Sequence, residues 1–166
     1  MRPEPARLRA GPARLVEEAS GMADETQAAV GIVVVSHSAQ VADATVGLVV
    51  RLANLAPDGP RLVAAGGMED GSIGTDATRI ADALAEADDG AGVVVLADLG
   101  SAVLATLTAV EELIDPDLAA RVRISRGPIV EGTFVAAVQA SAGDGVDGVL
   151  AAADEAAAMD KLEGRR

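Results

Sequence analysis

His37 is the only histidine in this chain of 166 residues, and it lies where an apolar run ends in Ser36-His37-Ser38. A neutral imidazole can act as a base or as a nucleophile at physiological pH. Two further polar clusters offer carboxylates, hydroxyls and glycine backbone: Gly74-Thr75-Asp76 and Asp98-Leu99-Gly100-Ser101. Amides at the start of a helix and side-chain hydroxyls are groups that bind phosphate. These three clusters are therefore the candidates for chemistry.

The elements that must position these clusters alternate along the chain. Apolar runs rich in β-branched residues predict four buried strands, at about residues 31–35, 61–65, 92–97 and 122–125. Helical spacing of apolar residues follows each of the first three strands, and the third helix is predicted to end at Asp115-Pro116. Two more helices are predicted at about 129–140 and 145–158. This alternation predicts an α/β fold with a doubly wound, mainly parallel four-stranded sheet flanked by helices.

All three clusters follow the carboxyl ends of predicted strands. Ligands of open α/β sheets bind at that edge, so the clusters can share one site despite their distance in sequence. In the middle cluster, Thr75 is expected to cap the following helix, with Asp76 in its first turn.

Several common chemistries lack their motifs. The chain has no P-loop sequence, no Gly-x-Ser-x-Gly elbow, and no Gly-x-Gly-x-x-Gly at its first helix. Ser36 and Ser38 flank His37, but successive side chains of a strand point to opposite faces, so neither is well placed to use His37 as a base. What remains is His37 itself as a nucleophile that carries a phosphoryl group, with Asp98 as the candidate that fixes the ring tautomer. The candidate phosphate-binding residues are Ser38, Gly74, Thr75, Gly100 and Ser101.

The composition excludes other function classes. A net charge of −13, one Phe and no Trp or Tyr leave neither the basic surface nor the stacking platforms of a nucleic-acid-binding protein. The lack of Cys rules out disulfides and, with one His, argues against zinc. Carboxylates leave Mg²⁺ open, but the prediction is no metal and no intrinsic cofactor. No apolar run is long enough to span a bilayer, which predicts a cytoplasmic protein without membrane contact.

One domain is predicted, at residues 30–160, with a polar tail at 161–166. Residues 1–29 contain four arginines and three prolines but no sustained apolar run, which predicts a disordered extension. We assign that extension no function.

Five stretches of the sequence, in this order along the chain, resemble one known family: residues 33–38, 65–67, 73–77, 98–102 and 128–133. The family is the phosphotransferase subunit (DhaM) of phosphoenolpyruvate-dependent dihydroxyacetone kinases, a branch of the mannose-type enzyme IIA fold. The resemblance extends from about Gly31 to about Ala157. It covers nearly the whole predicted domain.

The resemblance implies that His37 accepts a phosphoryl group from the carrier HPr and passes it to ADP bound in a partner subunit, DhaL. The regenerated ATP would then phosphorylate dihydroxyacetone on a third subunit, DhaK. The family resemblance also implies a homodimer. The longest members add HPr-like and enzyme I-like domains, each with its own phosphorylated histidine. Because this chain has no second histidine, the resemblance implies a single-domain form that uses separate carriers.

Two alternatives stay open. One is the enzyme IIA of a mannose-type sugar transporter, and the other is a regulatory module that signals through its phosphorylation state. Residues 98–102 lack the tryptophan associated with the sugar-transport branch, which argues against the first alternative. The sequence leaves open which imidazole nitrogen is phosphorylated and whether dihydroxyacetone is the only final acceptor.

Overall fold

The computed structural model describes residues 28–163 and confirms the predicted α/β architecture. Its four strands are β1 (Gly31–Ser36), β2 (Leu62–Gly66), β3 (Val93–Ala97) and β4 (Val122–Ile124). All are parallel, in the order β2-β1-β3-β4. Only the last two residues of the predicted extension, and the tail as far as residue 163, lie within the described range.

Six α-helices connect or follow the strands within residues 28–163. They are α1 (Ala39–Leu52), α2 (Ala77–Ala87), α3 (Gly100–Thr108), α4 (Pro116–Ala119), α5 (Ile129–Ser141) and α6 (Val146–Glu155). A short 3₁₀ turn, Ala156–Ala158, continues α6. Within residues 28–163, no helix has both the length and the apolar character needed to cross a bilayer.

The core lies on both faces of the sheet, which is why the central strands read as continuous apolar runs. On one face, Val33 and Val95 pack with buried residues of α2, α3 and α4. On the other, Ile32 and Leu96 pack with buried residues of α1, α5 and α6. Two helical layers therefore enclose the sheet and leave its carboxyl edge open between them.

The third helix stops before Asp115-Pro116, as predicted, but its last turn is not α-helical. The α-helix α3 gives way to a π-helical turn at Ala109–Leu113. Asp115 then caps α4, with its carboxylate accepting a hydrogen bond from the Asp117 amide at 2.8 Å. Proline is well suited to the first position of a helix, so Asp115-Pro116 marks a helix start as well as a stop.

The prediction that Thr75 caps the second helix was wrong. Asp76 is the N-cap, and its carboxylate accepts hydrogen bonds from the amides of Thr78 at 2.8 Å and Arg79 at 3.4 Å. The backbone of Thr75 instead forms a parallel bridge with Gly67, one residue beyond β2. Because the Thr75 backbone pairs with Gly67, the helix starts one residue later than predicted. Aspartate caps helices as well as threonine does.

Gly66 allows the start of α1 to lie over the end of β2. A Cβ atom at this position would stand 2.6 Å from the Ser38 carbonyl oxygen and 2.9 Å from the Ala39 Cα. A larger residue would push the first turn of α1 away from the sheet, together with the chain next to His37.

Candidate active site

Strand pairing brings His37 and Asp98 together. Val35 of β1 lies opposite Ala97 of β3, and the Asp98 amide donates to the Val35 carbonyl at 3.1 Å. Neighbouring strands are about 4.8 Å apart, so the residues that follow them at the carboxyl edge come into side-chain contact. Residues far apart in sequence thus form one site.

Both nitrogens of the His37 ring are engaged. Nδ1 lies 2.9 Å from Asp98 Oδ1, and Nε2 lies 2.6 Å from Ser101 Oγ. An ionised carboxylate can only accept, so in the neutral form of the ring this geometry places the proton on Nδ1 and the lone pair on Nε2. The Ser101 hydroxyl then donates to Nε2. Since Ser101 is exposed and the His37 side chain is 23% exposed, Nε2 lies at the open edge of the sheet.

The Asp98 carboxylate is held from two sides. While Oδ1 faces the imidazole, Oδ2 accepts from the His37 amide at 2.9 Å and from the Ser36 hydroxyl at 2.8 Å. Partial burial acts to raise the pKa of Asp98. The hydrogen bonds from the His37 amide, the His37 ring and Ser36 outweigh that effect, so the pKa of Asp98 is lowered from its ordinary value. The carboxylate is therefore ionised at neutral pH.

The other predicted site residues lie at the same edge in different roles. Ser38 is the N-cap of α1, and its hydroxyl accepts from the Val41 amide at 3.4 Å. The Gly74 amide donates to the His37 carbonyl at 2.9 Å, which ties the glycine-rich loop to the site. That amide is thus committed to the backbone in this state. Thr75 follows it directly, half-buried.

Two helix starts supply positive potential beside the imidazole. Gly100 is the first residue of α3 and Ser101 the second, while α1 begins two residues after His37. Unsatisfied amides at a helix start carry a partial positive charge that favours anions. Neither lysine nor arginine occurs within residues 36–38, 74–76 or 98–101. Within these three clusters, the groups that could bind an anion are therefore amides and hydroxyls.

Within the described residues, the site lies at the carboxyl edge of the sheet, where Ser101 is exposed and the His37 side chain is partly exposed. A cavity of about 410 Å³ lies at the opposite edge of the sheet, lined by residues around Asn54, Pro60 and Ser141. It does not include His37 or Asp98. Among residues 28–163, no group of three or more His, Cys, Asp or Glu side chains could hold a metal ion. A partly exposed imidazole at such an edge is accessible to a group presented by another protein.

One residue at the site was missed by the sequence analysis. Ser36 was considered only as a partner that would use His37 as a base, whereas its hydroxyl donates to Asp98, 62 residues away in sequence. No local pattern signals that contact. It follows from the pairing of β1 with β3.

A parallel doubly wound sheet with a histidine–carboxylate pair at its carboxyl edge defines the class as a doubly wound α/β domain with a histidine–carboxylate site. The family model described as "EIIA-man: PTS system fructose IIA component" matches residues 31–150. The chain therefore belongs to the EIIA-man family.

Curated relatives confirm the resemblance to DhaM that was drawn from the sequence. The chain is 38% identical over 105 residues to the phosphoryl donor subunit DhaM of the PEP-dependent dihydroxyacetone kinase of Providencia stuartii. That match covers 62% of this chain and 21% of the relative. The chain is also 36% identical over 105 residues to DhaM of dihydroxyacetone kinase 2 of Listeria innocua, a match that covers 63% of this chain and 81% of the relative.

The alignment with DhaM of Escherichia coli is 38% identical over 106 residues and covers 63% of this chain and 22% of the relative. The match thus spans about a fifth of the Providencia and Escherichia relatives. Among solved structures, the crystal structure of a protein of unknown function, EF1359, has a TM-score of 0.66 and 31% identity. It covers 76% of this chain and 94% of the solved one.

Proposed function

We propose that this chain is the phosphoryl-carrier subunit of a phosphoenolpyruvate-dependent dihydroxyacetone kinase. In this role His37 accepts a phosphoryl group from HPr and passes it to ADP bound in DhaL, the partner that works with DhaK. The observation that carries the proposal is the His37 imidazole, held through Nδ1 by Asp98 with Nε2 at an open edge. The relatives named as phosphoryl donor subunits support it.

The geometry favours Nε2 as the nucleophile. Its lone pair would attack the phosphorus of the donor phosphohistidine, and the donor P–N bond would break with its electron pair returning to the donor ring. The proton on Nδ1 stays in place, where the Asp98 carboxylate stabilises the positive charge that develops on the ring. In the second transfer a β-phosphate oxygen of ADP would attack, and the P–Nε2 electron pair would return to His37. The nucleotide belongs to the partner, so the reaction needs no cofactor on this chain.

Ser101 changes partner during this reaction. Its hydroxyl donates to Nε2 before transfer, and the new P–N bond removes that acceptor. The hydroxyl is then free to donate to a phosphoryl oxygen beside the amides at the start of α3. The same group thus serves both states of the carrier.

The decisive experiment is a two-stage transfer with purified components. Radiolabelled phosphoenolpyruvate, enzyme I and HPr should label the chain, and added ADP-loaded DhaL should release the label as ATP. No labelling by phosphorylated HPr would refute the carrier role. Because the family is described as a fructose IIA component, the experiment also tests the sugar-transport alternative. Label that passes to permease subunits and not to ADP-loaded DhaL would favour that alternative.

Thr75→Val should weaken phosphorylation without weakening the fold. It removes a hydroxyl that we propose to bind a phosphoryl oxygen, and keeps the side-chain shape. The expected cost is about 1 kcal/mol, or roughly a fivefold shift in the phosphorylation equilibrium with HPr. Because Asp76 caps α2, the melting temperature should change little.

Thr108→Val is a matched control for Thr75→Val. Its exposed hydroxyl donates to the Leu104 carbonyl at the end of α3, away from the site. The equilibrium should be unaffected in this variant. An unchanged equilibrium in Thr75→Val would show that Thr75 does not contact the phosphoryl group.

We also propose that the chain forms a homodimer. Val41, Leu48 and Leu52 follow one face of α1 and are 45%, 45% and 62% exposed. An apolar helix face of this kind favours association in a small domain. Light scattering at micromolar concentration should give the mass of a dimer, and Leu48→Glu should shift it towards the monomer. A monomeric mass for the unaltered chain would contradict the proposal.

A further inference from the structure

We propose that Ser36 is a positioning residue for phosphotransfer, which rests on the proposed function of His37. Its hydroxyl fixes the Asp98 carboxylate, and the carboxylate in turn fixes the tautomer and orientation of the imidazole. Ser36 does not touch the reacting nitrogen. It acts only through Asp98.

The contacts of Ser36 leave the carboxylate little freedom. Ser36 is 1% exposed, and its Oγ donates to Asp98 Oδ2 at 2.8 Å while accepting from the Ser38 amide at 3.1 Å. The His37 amide donates to the same Oδ2 at 2.9 Å. Rotation of the carboxylate would break both bonds to Oδ2. Oδ1 is therefore held towards the ring, where it accepts the Nδ1 proton.

The same pattern of hydrogen bonds between a serine, an aspartate and the following amides recurs at the end of β4, where no imidazole takes part. There the Ser125 hydroxyl donates to Asp154 Oδ1 at 2.6 Å and accepts from the Gly127 amide at 3.0 Å. The Arg126 amide donates to the same Asp154 oxygen at 2.7 Å. Ser125 is buried as well, at 6% exposed. In both places a buried serine and a distant aspartate close the turn that leaves a strand.

Comparison of the two turns separates the structural role of the serine from its role at His37. Closing the turn is common to Ser36 and Ser125, so loss of either hydroxyl should lower stability. Only at β1 does the aspartate also hold a ring nitrogen. A change in the tautomer populations of His37 is therefore expected only when the Ser36 hydroxyl is lost.

The loss of the Ser36 hydroxyl should change the tautomer of His37. With one donor fewer on Oδ2, the Asp98 carboxylate can turn, and the Nδ1 proton loses its fixed acceptor. The population with the proton on Nε2 then rises. That tautomer has no lone pair on Nε2 for attack, so transfer from phosphorylated HPr should be roughly tenfold slower.

The test compares Ser36→Ala with Ser125→Ala in the full chain. Nitrogen–proton correlation spectra of the His37 ring, recorded where the ring is neutral, give the tautomer populations, and a labelling time course gives the rate. Ser36→Ala should raise the Nε2–H population and slow labelling. Ser125→Ala should lower the melting temperature to a similar extent with neither change.

Three results would overturn the proposal: an unchanged tautomer population in Ser36→Ala, an unchanged rate, or equal slowing in Ser125→Ala. If Ser36→Ala fails to fold, Ser36→Cys fills the same space with a much weaker donor and should give the same two changes. The spectra need no partner protein. A chain that HPr fails to label would refute the proposed function, while the tautomer populations would still decide whether Ser36 positions His37 through Asp98.

Discussion

His37→Ala is expected to accept no label from phosphorylated HPr and to remain folded. The variant removes the only imidazole in the chain, so no phosphohistidine can form. The His37 side chain is 23% exposed and belongs to neither of the two hydrophobic core clusters. In the variant, the Asp98 carboxylate keeps its hydrogen bonds from the backbone amide at position 37 and from the Ser36 hydroxyl. The free energy of unfolding should therefore change by no more than about 1 kcal/mol.

The measurement for His37→Ala is the labelling assay with a chemical test of the bond. Label on the unaltered chain should be lost in acid and stable in base, as expected for a phosphohistidine. Urea unfolding should show that the variant is native. Acid-labile, base-stable label that persists on His37→Ala would exclude His37 as the phosphorylated residue.

Asp98→Asn is expected to have the second largest effect, because it keeps the shape and removes the charge. The amide of the variant can donate to Nδ1, which would favour the tautomer with the proton on Nε2. The carboxylate that stabilises the ring during transfer is lost as well. A charge-assisted hydrogen bond contributes about 1.5–3 kcal/mol. Transfer from HPr should therefore be roughly 10- to 150-fold slower.

The pH dependence of stability provides a second measurement for Asp98→Asn. The pKa of Asp98 is lowered in the folded chain, so its contribution to stability is present above the unfolded value of about 3.9. That contribution is lost as the pH falls through the folded pKa. The difference in unfolding free energy between the unaltered chain and the variant should thus shrink below about pH 4.

Asp154→Asn is the matched control. Asp154 accepts from Ser125 and from the Arg126 amide at the end of β4, with no imidazole in its reach. It should lose stability and keep its rate of transfer. Equal loss of rate in the two variants would indicate that Asp98 contributes only to the fold.

The local pattern of the sequence determined the elements of this protein. Val33, Val34 and Val35 form a run that is typical of a strand buried on both faces, and the structure has that strand. The alternation of such runs with amphipathic segments gave the parallel sheet. His37 could therefore be placed at the carboxyl end of β1 from the sequence. Boundaries were less certain, since Asp115-Pro116 and Thr75-Asp76 each contain more than one residue able to start a helix.

The contacts within the site were decided only by the tertiary structure. The register that sets Val35 opposite Ala97 brings Asp98 to His37, and the start of α3 brings Ser101 to Nε2. Ser36 meets Asp98 across 62 residues, and Ser125 meets Asp154 across 29. Two turns with the same geometry thus have different spacing, and no sequence pattern relates them. The local sequence around a residue determines whether it lies in a helix or a strand and which face it occupies. Its hydrogen-bond partners depend on which strands pair and in what register.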